Sequence, residues 1–453
     1  MKMSPRVMRI QLGLFLSSSV LVLSGFVFPS VAIADYSASL EQELALDSSD
    51  HKQKFETLFT PEWNIELSDN ISITFIGQFR WDNTKKFSNP TGSHYSAPDN
   101  YATGNGPLYS SDSSEMSIRE WYIDTESLGA YWRIGKQQVV WGQADGLKVL
   151  DVVNPQSYRE FILDDFEDSR IPLWMLNTEI PIGENSNLQI LWIPDLTYHA
   201  FAEPGTEYEV NSPLFRPALP QDAPLLGFHE DKPSSPIKDS DFGVQYATFY
   251  QGWDLTLNYL YHYQDTPVLY QQVSANGVAL SSEYERNHLA GFTASNAFGS
   301  FTLRTEVGYS SDTYHLRRSQ PNQTPTHKGI HQSSELSSVI GLDWQGLEDT
   351  MMSIQWFQSH LTKHNANVVR PQNNHILSLL LKRSFINETW ELEILALHGF
   401  DQQDGSVQSK LRYMLESDLS LWVGGDSFYG NKEGLFGQFN NKNRVLLGAE
   451  WSF

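Results

Sequence analysis

The chain predicts an all-β fold: a transmembrane antiparallel β-barrel of about sixteen strands, with short periplasmic turns and long extracellular loops. Three observations predict it. At 444–453, Val445, Leu447, Ala449, Trp451 and Phe453 alternate with Arg444, Gly448, Glu450 and Ser452, giving one face for lipid and one for water. At the other end Lys2, Arg6 and Arg9 precede an apolar stretch at 10–28 and the small-residue site Ala32-Ile33-Ala34, the layout of a secretory signal peptide cut before Asp35. Beyond that stretch no run reaches the roughly 18 apolar residues of a membrane helix. A crossing made of strands must close on itself, because lipid cannot bond free backbone.

Composition agrees. A mean hydropathy of −0.38 is too polar for a helical membrane protein, while 25 Phe, 20 Tyr and 13 Trp suit the interfacial girdles of a barrel. The chain has no cysteine, which excludes a disulfide scaffold, a lipoprotein anchor and thiol-based metal or redox chemistry. A formal charge of −23 excludes nucleic acid as a partner, since phosphate binding needs clustered Lys and Arg.

In order, residues 1–34 read as the signal peptide, 35–70 as a polar periplasmic segment and 71–453 as the barrel with an inserted loop at 141–170. In 35–70 only Leu40, Leu44 and Leu46 hint at a pattern, and Trp63, Ile65 and Leu67 alternate, so a first strand beginning earlier stays open. Strands are expected near 71–81, 116–125, 129–140, 171–181, 188–196, 241–250, 254–265 and 285–296. The second half continues near 300–311, 335–345, 350–362, 375–386, 390–400, 406–416, 419–428 and 443–453. The same pattern admits fourteen or eighteen strands. Short turns at 126–129, 182–187, 251–253, 298–299, 346–348, 387–389 and 417–418 alternate with longer segments at 82–115, 141–170, 197–240, 266–284, 312–334, 363–374, 401–405 and 429–442. An even strand count puts both barrel ends in the periplasm and the long segments outside.

The stretch 141–170 is too apolar for an exposed loop. Val149, Leu150, Val152, Val153, Phe161, Ile162, Leu163 and Phe166 need cover, so it is expected to fold into the barrel as a constriction, with a cap over the mouth as the alternative. Its acidic run Asp164, Asp165, Glu167 and Asp168 lacks the spacing of a calcium loop. Salt bridges to Arg159, Arg170 and Lys148 are the expected use of these carboxylates, and no metal or other cofactor is implied.

The run GKQQVVWGQADGLKVLDVVNPQSYREFILDDFEDSRIPLWM, residues 135–175, resembles a motif of a proteobacterial outer-membrane barrel family of unknown function, akin in fold to alginate-export-type porins. The resemblance implies a porin-like fold. It also implies traffic of hydrophobic or lipid-like molecules, in concert with an inner-membrane transporter of the resistance-nodulation-division type. No catalytic or binding residue comes with it.

Enzymatic motifs are missing: the chain holds no G-x-S-x-G, H-E-x-x-H or P-loop sequence, and no enzyme is expected. His360, His364 and His375 flank one outer loop and read as ordinary polar positions rather than a zinc site. The proline-rich 195–241 reads as an extended lid. The functional expectation is a porin-like channel for hydrophobic or amphiphilic solutes. Arg80, Arg133, Arg304, Glu306, Lys382, Lys410, Arg412 and Glu416 are its candidate wall charges, with Asp164, Asp165, Glu167, Asp168 and Arg170 at the constriction. Mixed sign suits weakly polar or zwitterionic solutes rather than one ion class. A structural or surface-binding barrel with a closed lumen and, less so, a barrel enzyme are the alternatives. The expected partners are outer-membrane lipid and lipopolysaccharide, and the barrel-assembly machinery, whose C-terminal signal the closing strand resembles.

Overall fold

The computed structural model describes residues 33–48, 51–87, 100–217, 224–274, 276–318 and 326–453. Among them eighteen antiparallel strands form one closed ring. They are β1 (Ile33–Asp47), β2 (Lys52–Ser68), β3 (Ile71–Asp82), β4 (Ser114–Ser127), β5 (Ala130–Gln137), β6 (Leu173–Pro181), β7 (Ser186–Ile193), β8 (Asp241–Tyr250) and β9 (Trp253–Tyr263). The ring continues with β10 (Arg286–Phe298), β11 (Phe301–Leu316), β12 (Ile330–Leu347), β13 (Thr350–Leu361), β14 (Asn373–Phe385), β15 (Trp390–Gly399), β16 (Asp404–Glu416), β17 (Leu419–Gly430) and β18 (Arg444–Ser452). Each pairs with its neighbour in sequence, and β18 pairs with β1 from Ser39↔Ser452 to Asp47↔Arg444, so no edge is left open.

The ring has two strands more than the expected sixteen. Both come from 35–70, the segment read as periplasmic. β1 and β2 pair along nearly their whole length, and β2 pairs with β3. The signal-peptide reading falls almost wholly on residues outside those described, and its last two positions, Ile33 and Ala34, already pair with β2.

Side chains sort by the two-residue period. On β13, Met352, Ile354 and Trp356 are exposed, whereas Ser353, Gln355 and Phe357 are buried. On β18, Val445, Leu447 and Trp451 are exposed, and Arg444 and Leu446 face the interior. Exposed Leu, Ile, Phe and Trp recur on almost every strand. Such a belt greatly exceeds the few hundred Å² of apolar patch that a water-soluble surface carries, and lipid is the solvent that fits it.

Connections at one end are tight: 69–70, 128–129, 182–185, 251–252, 299–300, 348–349, 386–389 and 417–418. Leu128 (φ 56°) and Gly129 (φ 73°) both take the left-handed region that a two-residue hairpin needs. The opposite end carries 48–51, 83–113, 138–172, 194–240, 264–285, 317–329, 362–372, 400–403 and 431–443. Within the lid, Leu225–Asp231 joins Gly277–Glu283 and Val268–Ser274 in a three-stranded sheet on that end.

Candidate functional site

The segment 138–172, between β5 and β6, lies inside the barrel. Its apolar groups lie against inward-facing wall residues. Val139, Trp141, Leu150 and Val153 pack with Leu191, Ile193, Leu260 and Leu289. Leu150 sits on bare backbone: a Cβ at Gly291 would stand 2.5 Å from its Cδ2, and one at Gly308 3.1 Å away. Phe161 fills a second cluster with Phe357, Ile376, Leu397, Phe428, Phe436 and Phe439. Each such side chain contributes roughly 1.5–3 kcal/mol when removed from water.

Polar groups fix the same path. Trp141 Nε1 donates to Gln189 Oε1 at 2.7 Å, the Asp145 N–H to Gln355 Oε1 at 3.0 Å and the Leu150 N–H to Glu306 at 3.2 Å. Glu306 also accepts from the Gln143 N–H. Arg304 binds Asp343 at 2.8 Å and reaches Asp145 and the Gln143 carbonyl. Farther along, Glu160 is held between Lys86 at 3.1 Å and Arg444 at 2.7 Å, all three buried. Burial alone would raise the Glu160 carboxyl, but Lys86, Arg444 and Lys54 prevail and hold it at about 2. The network extends through Lys86–Glu56 at 2.8 Å, Lys54–Glu43 at 3.0 Å and Arg444–Asp426 at 2.7 Å. It straddles the seam where β18 meets β1.

Three cavities meet at 158–165. On the loop side, one of about 480 Å³ is lined by Lys52, Lys86, Arg159, Glu160 and Tyr208. Beside it, one of about 310 Å³ lies between Lys148, Phe161, Ile162 and Phe166 of the segment and Glu335, Phe357, Arg370 and Ile376 near the wall. Toward the turn end, one of about 410 Å³ is lined by Leu163, Asp165, Lys410, Arg412 and Arg444. A fourth, of about 550 Å³, opens at the turn end beside Asp69, Asp124 and Arg133.

The structure divides the residues singled out from sequence. Arg304 and Glu306 hold the segment directly, and Arg80 stands 3.7 Å from Glu56 in the seam network. Asp164 is half-buried, its carboxyl pushed up by burial and by Glu160 against the pull of Lys54, Arg80 and Lys86. Lys410 and Arg412 line the cavity below the segment, where Arg412 binds Glu450 at 2.8 Å. Arg133 (paired with Asp124 at 2.7 Å), Lys382 (with Glu393 at 3.0 Å) and the exposed Glu416 lie toward the turn end, apart from the segment.

The acidic run does not bind the arginines expected of it. Arg159 pairs with Glu115 at 2.9 Å, while Arg170 and Lys148 share Asp151, at 2.8 and 3.2 Å. Asp165 precedes the four-residue helix Phe166–Ser169 without capping it by a side-chain bond, and the carbonyls of Glu167 and Asp168 accept from Arg119. The reason is geometric: the helix turns Glu167 and Asp168 toward β4, and Asp151 lies nearer both bases. His360, His364 and His375 each have their own partner, respectively Asn373, the Arg370 carbonyl and Asp401. The residues sequence reasoning missed are Glu43, Lys54, Glu56, Lys86, Glu160, Asp426 and Arg444. Lys54 and Glu56 alternate with Phe55 and Thr57 in β2, a signal that was available in 35–70.

A closed barrel with an apolar outer belt and an inserted interior segment is the architecture of an outer-membrane barrel of porin type. The chain belongs to the family described as "Protein of unknown function (DUF1302)", whose model matches residues 119–404. No curated protein matches it by sequence. Among solved structures it is similar to Pseudomonas aeruginosa OpdK with vanillate, at 11% identity over 93% of this chain and 98% of that one, TM-score 0.51. The Pseudomonas aeruginosa OccK1 (OpdK) structure gives 10% identity over 93% and 98%, TM-score 0.51. Another Pseudomonas aeruginosa OpdK structure gives 10% over 93% and 99%, TM-score 0.50. At such identity the likeness concerns the fold.

Proposed function

We propose that this chain is an outer-membrane channel of porin type for hydrophobic or amphiphilic small molecules, with 141–170 as its constriction. One observation carries the reading: residues 158–165 line cavities on both the loop side and the turn side of the segment, which supports a constriction there. Their lining mixes Phe161, Ile162 and Phe166 with charges of both signs, which suits a molecule having apolar and polar parts. OpdK, of similar fold, was solved with vanillate, a small aromatic molecule. In this reading the protein is exported by its signal peptide. It is inserted through its closing strand by the assembly machinery and surrounded by lipid and lipopolysaccharide, and it hands solute to or from an inner-membrane transporter. It performs no catalytic step.

Planar-bilayer recording tests this. The full chain conducts in KCl, and deletion of 145–168 raises the unit conductance. No conductance from either form overturns the reading in favour of a structural barrel with a closed lumen, the alternative that the packing of Phe161 and Leu150 favours.

A further inference from the structure

The cavity of about 310 Å³ between the segment and the wall has a balanced lining. Its charged residues are Lys148 and Arg370 against Asp164 and Glu335, and the rest divides evenly between polar and apolar side chains. Both cations are engaged. Arg370 lies 2.7 Å from Glu335 Oε1 and reaches the Ser359 hydroxyl, while Lys148 lies 3.2 Å from Asp151, outside the lining, and bonds Gln156 Oε1. Hydrogen-bonding capacity is left over. Glu335 Oε1 takes Arg370, Ser337 and Ser359, whereas its Oε2 has no partner among the described residues. Among those residues the Asp164 carboxylate, the Tyr158 hydroxyl and the Asn374 amide also lack a hydrogen bond, and all three are half-buried on the lining. Asn374 shares the inward face of β14 with the buried Ile376.

These free groups ask a ligand for both halves of a hydrogen bond. The two carboxylates only accept, whereas the amide and the phenol also donate. A carboxylate head brings no donor to Asp164 or Glu335, and an ammonium head leaves the Asn374 and Tyr158 donors unanswered. Either ion also adds a net charge to a half-buried site whose own charges cancel, where an uncompensated charge is costly. A hydroxyl donates, accepts and adds no charge. We propose that this cavity is a binding subsite for an uncharged, hydroxyl-bearing amphiphile, its hydroxyl among Asp164, Glu335 Oε2 and Asn374 and its apolar body against Phe161 and Phe357. The proposal deepens the channel reading and rests on it for its place on a solute path.

The test uses 2-phenylethanol, 3-phenylpropionate and 2-phenylethylammonium, which share one phenylethyl body and differ in the head, titrated calorimetrically into the full chain in detergent against a matched detergent blank. The alcohol binds roughly tenfold or more tightly than either ion. Asn374→Leu, which removes the amide at similar volume, weakens the alcohol by about fivefold, the scale of one net hydrogen bond. An ion that binds the wild type as tightly as the alcohol, binding of none of the three, or an alcohol affinity unchanged in Asn374→Leu overturns the subsite. The wild-type comparison needs no variant to fold. Conductance in KCl without probe is recorded separately: a silent chain that still prefers the alcohol overturns the channel and leaves the subsite standing, and a conducting chain that prefers an ion does the reverse.

Discussion

Phe161 has a φ of 56°, a left-handed backbone that costs a bulky residue of order 1–3 kcal/mol. Its ring offsets this by entering a cage of Phe439 at 4.7 Å, Phe428 at 5.9 Å and Phe436 at 6.2 Å. Phe161→Ala keeps the strain and removes the cage contact, a loss of roughly 3–5 kcal/mol by analogy with other buried rings. Amide exchange at 158–165 should therefore quicken by about 100-fold or more while the strands keep their protection, and unchanged protection would refute the cage. Its neighbour Glu160 has a depressed carboxyl, so its contribution to the folded state is full above roughly pH 5, declines as pH falls and is gone below about 2. The stability difference between wild type and Glu160→Gln should hold constant from about pH 8 to 5 and vanish toward pH 2. A difference that fades near pH 6 would mean that Lys86 and Arg444 do not set it.

Among the elements, β1 and β2 were the hardest to read, for reasons that lie in particular side chains. The outward row of β1 is interrupted by Gln42, whose oxygen accepts from Thr57 on the neighbouring β2 at 2.6 Å, so two polar groups satisfy one another where lipid-facing residues were sought. β2 also contains Pro61, which has no N–H to donate and reads as the end of a strand. The later strands carry longer apolar runs and were legible. The segment 138–172 was legible as a piece needing cover, because its apolar residues are local. Its partners were not: Glu160 and Arg444 are 284 positions apart, and Asp151 rather than the acidic run takes Arg170. If β1 and β2 are wall, removing 33–68 leaves no ring to close. The truncated chain should fail to give the fast-migrating, heat-modifiable band of a folded barrel in an unheated gel, whereas such a band would restore the reading of 35–70 as a tail.

For the whole molecule, eighteen strands enclose a lumen too wide for wall side chains alone to fill, and the inserted segment decides what passes. Wall charges are largely matched across neighbouring strands: Arg304 with Asp343, Lys382 with Glu393, Arg412 with Glu450. Although the chain carries a formal −23, each of these three wall pairs, among the described residues, joins one cation to one anion and so does not favour one ion class. Under a KCl gradient the reversal potential should stay near zero, with a permeability ratio close to unity. A strongly cation-selective current would show that the net charge, rather than the paired wall, governs passage.

The link between Glu160 and Arg444 also sets an order of assembly. Glu160 already meets Lys86 from the first half of the chain, but its second cation, Arg444, arrives only with the final strand, so that ionic tie on the segment forms at the seam that completes the ring. Contacts so distant in sequence form late. The last ionic tie of the segment and the closure of the wall are therefore made in one event.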